Sequence, residues 1–436
     1  MMSETADVII IGAGIIGTAT AFELAKMGYK TLSLDRNHDA GTGSTAGSCA
    51  CIRVHYSTYD GAAIAYEGYH YWRDWADYLA TTDRQGHARF EQTGCLVMAT
   101  EHNGYLERQM HFCNELGCPY EQWDDAKIKA RLPIYDLQSF APAKSIDDPD
   151  FGQPNGGRVK SGVFFPTAGH ITDPQLSSHN VMVAAQAKGA QFRFNATVSE
   201  ILKENGRTAG VKLANGEIIS APVVVNVAGP ASAKINAMAG VLGDMTITTR
   251  ALRQEVTHLP SPPGFDFEND GLMVSDSDIS LYARPVHGNN ILVGSEDPPC
   301  DVKEWVDDDT DYNRDFTSQW TLQAYRFAQR VPSLGIPSRM KGVVDLYDVT
   351  EDWIPIYDRS SLPGFYMACG TSGNQYKNAP VAGKLMARLV DACENGHDHD
   401  NDPVKLHLDY IGRDIDAGFY SRKRPINQDS SFSVVG

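Results

Sequence analysis

Three glycines near the start of the chain have the spacing of a phosphate-binding turn. Gly12, Gly14 and Gly17 form the pattern G-x-G-x-x-G between an apolar run and a helical pattern, and Asp35 follows about 20 residues later. Such glycines allow a tight turn and a close approach of the backbone to a pyrophosphate, whose charge the helix N-terminus stabilises. An acidic residue at the end of the next strand suits a ribose diol. The pattern therefore predicts a dinucleotide site, without distinguishing NAD from FAD.

A single arginine, Arg53, lies among small and apolar residues in the stretch 48–57 (SCACIRVHYS). Arginine is permanently charged and is seldom fully buried without an anionic partner. Either Arg53 pairs with a carboxylate of the protein such as Asp60, or its partner is an anion that arrives as a substrate.

A second glycine-rich turn lies near the other end of the chain, at 370–383 (GTSGNQYKNAPVAG). It joins a predicted strand to a predicted helix, and such a turn can present main-chain N–H groups to the anionic edge of a reduced flavin. An ordinary helix start with flexible glycines is the alternative interpretation. The turn also carries Lys377, a second cation in a mainly small and uncharged stretch.

Taken in order, these motifs resemble those of the D-amino-acid-oxidase-like FAD oxidoreductases, and most closely their sarcosine oxidase branch. An ordered set of this kind is specific for the family and much less specific for the substrate. The matching segments span residues 7–390 and read VIIIGAGIIG with LSLDR, GSTAGSCACIRVHYS, AGHITDPQ, VVVNVAGP, LYARPVHGNNILVGS and GTSGNQYKNAPVAGKLMARL.

The resemblance implies FAD as the cofactor. The glycine motif and Asp35 would bind its ADP half, Ser44 and its neighbours would line the pyrophosphate and flavin, and the backbone of Val198 would meet the adenine side. The cofactor-binding residues that it implies are Gly12, Gly14, Ile15, Gly17, Asp35, Arg36, Gly43, Ser44, Thr45, Cys49, Val198, Gly229, Gly370, Gly373, Asn374 and Lys377.

The resemblance also implies a substrate carboxylate held by two cations. In the monomeric sarcosine oxidases an Arg before a Tyr, and a Lys in a glycine-rich turn, grip that carboxylate over the flavin. The matching residues here are Arg53, with Tyr56 after it, and Lys377. A charge-assisted hydrogen bond contributes roughly 1.5–3 kcal/mol, so two cations can anchor a small acid. We therefore favour a substrate anion as the partner of Arg53.

Three positions depart from the family pattern. Monomeric sarcosine oxidases attach FAD to a Cys where this chain has Asp345, and heterotetrameric ones link FMN to a His where it has Thr172. We therefore predict FAD bound without a covalent link. The lysine that promotes oxygen reduction has no clear match. Arg284 is the only cation close to that segment, so we include it in the catalytic set and leave the acceptor as oxygen or an electron-transfer acceptor.

The elements that must position these residues alternate between strand and helix. An apolar strand at 7–12, a helix at 18–28 and a strand at 30–34 form one strand–helix–strand unit, and aromatic residues recurring from Tyr66 to Tyr78 predict a helix that buries an aromatic face. The fold class should be α/β, with a Rossmann-like FAD-binding domain and an interleaved β-rich substrate domain, as in D-amino-acid oxidases and glutathione reductases.

We predict the following domain boundaries. A discontinuous FAD-binding domain takes 1–82, 152–235 and 340–400. A substrate-binding domain takes 83–151 and 236–339, and a polar C-terminal tail takes 401–436.

Composition restricts the class of protein further. The net charge of −17 argues against partners such as nucleic acid or an anionic membrane, and no apolar run approaches a membrane span. The eight cysteines lack zinc or CxxC spacing, so we expect free thiols and no metal. The stretch 397–400 (HDHD) reads as a solvated acidic loop. No signal peptide precedes the first strand, and we expect a cytoplasmic protein.

These observations predict oxidation of a C–N bond in a small carboxylate-bearing amine, such as a secondary or N-alkyl amino acid. One alternative is a 2-hydroxy-acid dehydrogenase that uses the same cations, with His55 or His287 as the base for the hydroxyl proton. Another is a flavin-bearing subunit of a larger electron-transfer complex.

Overall fold

A mostly parallel sheet, here called the central sheet, carries the glycine motif at the carboxyl end of its strand Val8–Ile11. The computed structural model describes residues 4–436. The inner strands of this sheet, Val8–Ile11, Val223–Asn226 and Phe365–Cys369, are mainly apolar and fully buried, as parallel strands covered on both faces should be. All neighbours are parallel except the last pair. Their order is Gln191–Arg193, Thr31–Leu34, Val8–Ile11, Val223–Asn226, Phe365–Cys369 and Ile356–Arg359.

A second sheet is larger and mainly antiparallel, and we call it the substrate sheet. Only Met273–Asp276 and Cys95–Met98 pair in parallel. Its order is Glu304–Val306, Arg250–Pro260, Asn290–Ser295, Leu281–Val286, Met273–Asp276, Cys95–Met98, Ser161–Phe165 and Glu121–Asp124, with Gly342–Val349 also paired to Arg250–Pro260.

Smaller sheets and the helices complete the fold. The remaining strands are Glu4–Thr5, Cys51–Ile52, Phe90–Glu91, Gly169–Ile171, Val198–Glu204, Arg207–Leu213, Ile218–Ser220, Lys405–Leu408 and Arg413–Asp416. The α-helices are Ile15–Lys26, Tyr59–Arg73, Trp75–Leu79, Leu106–Leu116, Asp125–Arg131, Pro174–Ala187, Ser232–Ala239, Phe267–Asp270, Ser318–Arg330 and Ala379–Glu394, with short 3₁₀ helices at Gly229–Ala231, Leu242–Asp244, Tyr376–Asn378 and Ala417–Tyr420. No helix among residues 4–436 is long and apolar enough to cross a membrane.

The glycine motif is fixed by steric requirements within the protein itself. Gly12 has φ +113°, and a Cβ there would lie 2.2 Å from the carbonyl oxygen of Val227. A Cβ on Gly17 would lie 2.1 Å from the carbonyl oxygen of Gly12. Gly14 differs, because only the hydroxyl of Thr45, at 3.0 Å, lies near its added Cβ. The first and third glycines therefore serve the fold, whereas the second leaves space in front of the helix N-terminus.

The aromatic residues predicted to lie on one helix lie on two, Tyr59–Arg73 and Trp75–Leu79, which pack the aromatic face inward as predicted. Trp72 is buried and stacks on Trp75 and on Tyr376, with ring centroids 4.3 and 5.2 Å apart. Its indole N–H donates to the carbonyl oxygen of Lys377 at 2.7 Å. A Cβ on Gly68 would lie 2.6 Å from that same oxygen. The helix Tyr59–Arg73 therefore packs closely on the turn that carries Lys377 and holds it in place.

Residues of the expected C-terminal tail are packed against the rest of the protein. The guanidinium of Arg422 is buried and binds the carboxylates of Asp358 and Asp400 at 2.9 and 3.0 Å, and Arg424 binds Asp352 at 2.8 Å. The stretch 397–400, expected to be a solvated loop, contributes Asp400 to this network. Composition does not separate charged residues that face solvent from those that pair in the interior, which explains the difference.

Candidate functional site

An open groove runs along the carboxyl ends of the central sheet's strands, where ligands of α/β sheets bind. It contains about 2050 Å³ of empty space, including the solvent at its mouth. Most of the predicted cofactor residues line it. They are Gly12, Gly14, Ile15, Gly17, Asp35, Arg36, Gly43, Ser44, Thr45, Cys49, Val198, Gly229 and Gly373.

The residues of the groove fit an extended dinucleotide. The helix Ile15–Lys26 opens at the glycine motif, and the space beside Gly14 is one that a side chain would fill. Asp35 lies at the end of the second strand, where its carboxylate accepts the main-chain N–H groups of Ala13 (2.7 Å) and Asn37 (2.8 Å). Asp35 therefore fixes the turns at Ala13 and Asn37, which shape the groove, and it also lines the groove itself.

Ion pairs that were not predicted lie at the far end of the groove. Asp309, from the acidic stretch before the helix Ser318–Arg330, binds both Arg36 and Lys234 at 2.6 Å. Arg36 and Lys234 belong to the segments around the central sheet, whereas Asp309 follows a strand of the substrate sheet. The three residues thus connect the two sides of the groove. Nothing in the sequence near any one of them predicts the other two.

Three predicted cofactor residues do not line the groove. The N–H of Gly370 donates to Asp348 at 2.7 Å, and its φ of +70° lets the chain turn behind the groove wall. Asn374 and Lys377 instead line a second cavity, which contains about 580 Å³ of empty space, including the solvent at its mouth. Cys49 and Gly373 line both spaces, so the second cavity continues directly from the end of the groove.

The second cavity, here the substrate cavity, is lined mainly by apolar groups and contains a few polar ones, as small-molecule sites usually do. The sequence predicted Arg53, His55 and Lys377 as substrate-site candidates, and Cys49, Gly373 and Asn374, predicted as cofactor residues, also line the cavity. The additional lining residues include Cys95, Met273, Val274, Ser275, Tyr282, Val434 and Val435.

Arg53 is buried, with 8% of its surface exposed, and forms no ion pair with any carboxylate between residues 4 and 436. Its guanidinium donates instead to the main-chain carbonyl oxygens of Val434 and Val435. The alternative partner Asp60 does not contact it. Burial raises the pKa of Asp60 to about 6, and this carboxyl forms no ion pair in the described part of the chain. The charge of Arg53 is therefore not neutralised by a paired acid.

Lys377 is buried beside Arg53 in the same environment. Its side-chain nitrogen lies 2.8 Å from the hydroxyl of Tyr56 and 2.6 Å from the carbonyl oxygen of Asn374. Burial, and then the charge of Arg53, lower the pKa of Lys377 well below its usual value. The ring of Tyr56 lies between the two basic groups, 5.0 Å from the guanidinium carbon of Arg53 and 5.0 Å from the ammonium nitrogen of Lys377. Tyr56 therefore positions both groups from behind the cavity wall.

Arg284 lies behind the wall of the substrate cavity. Its Nε donates to the carbonyl oxygen of Cys49 at 2.7 Å, and a second nitrogen donates to the carbonyl oxygen of Pro285 at 2.7 Å. It lines neither the groove nor the cavity. Its direct contact is with the segment that separates the two spaces, so it supports Cys49.

The two candidate bases differ in position. His55 lines the cavity, and its ring stacks on Phe165 with centroids 4.3 Å apart. Burial, followed by the charges of Arg53 and Lys377, lowers the pKa of His55 well below its usual value, so the imidazole is neutral. The side chain of His287 is 99% exposed and pairs with Glu268 at 2.7 Å. Only His55 could therefore meet a substrate in the cavity.

Asp345 and Thr172, the positions at which relatives attach the flavin covalently, lie in different parts of the structure. Asp345 lies in the groove wall, where its carboxylate is 3.3 Å from the hydroxyl of Ser44. Thr172 accepts the N–H of Arg89 at 3.3 Å and lines neither space. Neither side chain is a thiol or an imidazole.

Comparisons with known proteins agree with this geometry. The family model described as DAO, FAD dependent oxidoreductase, matches residues 7–389. Sarcosine oxidase subunit beta of Rhodobacter capsulatus is 24% identical over 407 residues, which cover 88% of this chain and 84% of that protein. FAD-dependent oxidoreductase domain-containing protein 1 of Mus musculus is 25% identical over 415 residues, which cover 89% and 81%.

Solved structures show the same fold. L-proline dehydrogenase from P. horikoshii matches with a TM-score of 0.72 at 22% identity, over 91% of this chain and all of that one. Glycine oxidase from Geobacillus kaustophilus also reaches 0.72, at 18% identity, over 98% of this chain and all of that one. These likenesses confirm the predicted α/β fold class.

Proposed function

Because this chain belongs to the DAO family of FAD dependent oxidoreductases, we propose that it oxidises the C–N bond of a small amino acid. The substrate class is a secondary or N-alkyl amine. Oxidation removes two electrons and two protons from the CH–NH unit, and water then hydrolyses the imine. Relatives named for sarcosine and proline, which are secondary amines, support this class, and one named for glycine supports a small amino acid in general.

The observation that carries the proposal is the pair of buried basic groups without an acid. Arg53 and Lys377 face one small cavity at the end of the cofactor groove, and no carboxylate of the described chain pairs with either. A charge buried without a partner is costly, and a substrate carboxylate would supply one. The carboxylate would also favour the ammonium form of Lys377, so its binding takes up a proton.

The family's cofactor is FAD, which when bound supplies the two-electron acceptor for the reaction. Gly14 and the start of the helix Ile15–Lys26 would hold its pyrophosphate, and Asp35 would hold its ribose. Arg53 and Lys377 would bind the substrate carboxylate and so orient the CH–NH unit toward the groove. His55, being neutral, leaves the positive charge for the carboxylate on those two groups. The contribution of the protein is orientation and electrostatics rather than a strong base.

We further propose that FAD is bound without a covalent link. Asp345 and Thr172 stand where relatives use Cys and His, and neither can form those bonds. Acid precipitation should leave the yellow colour in the supernatant. Flavin that stays with the denatured protein would contradict the proposal.

The test of function is a substrate screen under anaerobic conditions. N-methyl, cyclic and D-amino acids, together with 2-hydroxy acids, are mixed with the FAD-loaded protein while flavin bleaching is followed. We expect bleaching by an N-alkyl or cyclic amino acid, with a carbonyl product after hydrolysis. Bleaching by 2-hydroxy acids alone would instead assign the dehydrogenase, with His55 as its base. Bleaching by none of them would contradict the proposal.

A second candidate is a flavin-bearing subunit of a larger complex, because two relatives are named as sarcosine oxidase subunit beta. Turnover of the purified chain alone, with oxygen or with an artificial electron acceptor, decides between the two. A chain that bleaches with substrate and then stays reduced with either acceptor would favour the subunit.

A further inference from the structure

The last residues of the described chain, 431–436, here the C-terminal segment, enter the wall of the substrate cavity. Their path is anchored upstream by the buried pair of Arg424 and Asp352, and the N–H of Asn427 also donates to Asp352 at 3.3 Å. The family model ends at residue 389. The segment therefore lies outside the part of the chain that the family pattern describes.

Hydrogen bonds fix the C-terminal segment where it meets the cavity. The N–H of Ser57 donates to the carbonyl oxygen of Gly436 at 3.1 Å, and the N–H of Gly436 donates to the carbonyl oxygen of Ser433 at 3.2 Å. The N–H of Val435 lies 3.3 Å from the hydroxyl of Ser433. This compact turn directs the carbonyl groups of Val434 and Val435 to Arg53.

The partners that the segment gives to Arg53 are neutral. A guanidinium has five N–H donors, and two carbonyl oxygens leave the others for a ligand. A carboxylate in the same place would cancel the charge, whereas carbonyl dipoles fix the orientation of the guanidinium and leave its charge intact. The segment thus does for Arg53 what Tyr56 and Asn374 do for Lys377.

The side chains of the segment close the cavity at the same point. Val434 and Val435 are buried and both line the cavity, and they belong to an apolar cluster that Tyr282 and Tyr347 also contact. Tyr347 lines the cofactor groove. The two valines therefore stand between Arg53 and the aromatic residues at the end of the groove, where the apolar part of an acid held by Arg53 would lie.

We propose that Val434 and Val435 are positioning and specificity-determining residues of the substrate site. Their carbonyl groups orient Arg53 for the substrate carboxylate, and their side chains limit the length of the apolar group next to it. This inference rests on the proposed function, because it requires that Arg53 binds the carboxylate.

The test uses straight-chain monocarboxylates as probes on the FAD-loaded protein. Acetate, butyrate and hexanoate are titrated by calorimetry and by the change in flavin absorbance. The variants are Val434→Ala, Val435→Ala and Gly436→Ala. Gly436 has φ +76°, and a Cβ there would lie 2.2 Å from the ring of Tyr56, so alanine should displace the segment.

Matched controls separate this effect from general strain. Gly412 also has a left-handed backbone, with φ +61°, but a Cβ there would meet nothing within 4 Å, so Gly412→Ala carries similar strain without a clash. Val302 is 89% exposed, so Val302→Ala removes the same atoms from a valine outside the cavity. Both controls should bind the three acids as the wild type does, with unchanged flavin content.

We expect each cavity valine variant to raise the affinity for hexanoate relative to acetate by about fivefold, since room opens for at least one more methylene group. Gly436→Ala should weaken acetate binding by about tenfold, because Arg53 loses the groups that orient it. An unchanged hexanoate-to-acetate ratio would overturn the specificity role. Unchanged or tighter acetate binding by Gly436→Ala would overturn the positioning role, the tighter case showing that the segment competes with the acid.

Arg53→Ala distinguishes failure of this inference from failure of the proposed function. If Arg53→Ala binds acetate like the wild type, or if the wild type does not bind acetate, the carboxylate site itself is wrong. If Arg53→Ala loses acetate while the segment variants behave like the controls, only the role of the segment is wrong.

Discussion

Buried arginines occur in two regions of this protein, and they are compensated in different ways. Arg330, in the helix that covers the substrate sheet, is fully buried and binds Asp276 at 2.7 Å and Asp278 at 2.8 Å. Other buried arginines of the same kind are Arg253, Arg326, Arg422 and Arg424, each paired with at least one carboxylate. Arg53 and Arg284 are almost as buried, and the protein partners of each are two carbonyl groups, but only Arg53 lines the cavity.

The difference indicates what each region was built to hold. For the buried arginines that pair with carboxylates, the protein itself supplies the anion, and the ion pair is part of the folded structure. In the substrate cavity the protein supplies only neutral acceptors, so the positive charge remains available. A permanently charged side chain that is desolvated and left with its charge uncompensated is costly, and binding of an anion relieves that cost.

The largest effect on stability should come from removing a buried arginine that pairs with carboxylates. Arg330→Ala leaves two buried carboxylates without a cation, so it should lower the free energy of unfolding by ~3–5 kcal/mol. Arg53→Ala strands no charge and should cost about 1–2 kcal/mol, from two carbonyl groups that lose a donor. Denaturant unfolding of both FAD-loaded variants measures the contrast. Equal losses would show that Arg53 is structural in the same sense as Arg330.

A second prediction concerns Glu296, a buried carboxyl whose pKa is sensitive to the charge of Arg53. Burial raises the pKa of Glu296 to about 8 from its ordinary 4.5, with the hydroxyl of Ser275 at 2.5 Å opposing the shift. Between these pH values the folded protein holds a proton that the unfolded chain has lost. The free energy of unfolding therefore falls as the pH rises through this window.

Glu296→Gln should remove this loss, so the variant should gain on the order of 3–4 kcal/mol relative to the wild type between pH 5 and pH 8. Urea unfolding at several pH values checks it, with Glu107→Gln as the exposed control. The same pH slope in wild type and Glu296→Gln would mean that Glu296 is ionised in the fold. It would then supply a buried anion whose charge interacts with that of Arg53, and the two regions would no longer differ.

The smallest effect should come from an exposed pair. Arg89 is 77% exposed and lies 3.4 Å from Glu91. Solvent screens such a pair, so Arg89→Ala should change the free energy of unfolding by less than ~0.5 kcal/mol. Thermal unfolding provides the measurement. A loss close to that of Arg330→Ala would show that pairing alone, without burial, accounts for the stabilisation by the buried arginine–carboxylate pairs.

The sequence predicted the cofactor side of the protein well because its signals are local. The spacing of Gly12 and Gly17 reflects backbone contacts within one turn, and the apolar runs of the central sheet reflect burial on both faces. The resemblance to a family then indicated Arg53 and Lys377, and the structure brings both to one cavity.

The substrate cavity was predicted less completely because its wall is assembled from distant segments. Ser275 lies within a strand whose pattern indicates only burial, and Val434 lies in a polar stretch that was expected to be a free tail. Charged residues such as Arg422 and Arg424 made that stretch read as solvated, since pairing across the fold leaves no trace in composition. Arg284 is a different case, because its position in the chain indicated the site, whereas its side chain lies behind the cavity wall and supports Cys49.

The most direct test of the account compares an acid with its uncharged analogue. Under anaerobic conditions, the rate of flavin reduction at low substrate concentration is measured for the amino acid substrate and for its amide, in the wild type, Arg53→Ala and Lys377→Met. The account predicts that each variant loses about 2–4 kcal/mol of transition-state stabilisation for the acid and much less for the amide, with FAD content unchanged. Equal losses for acid and amide would contradict it, because they would show that these residues do not hold the carboxylate.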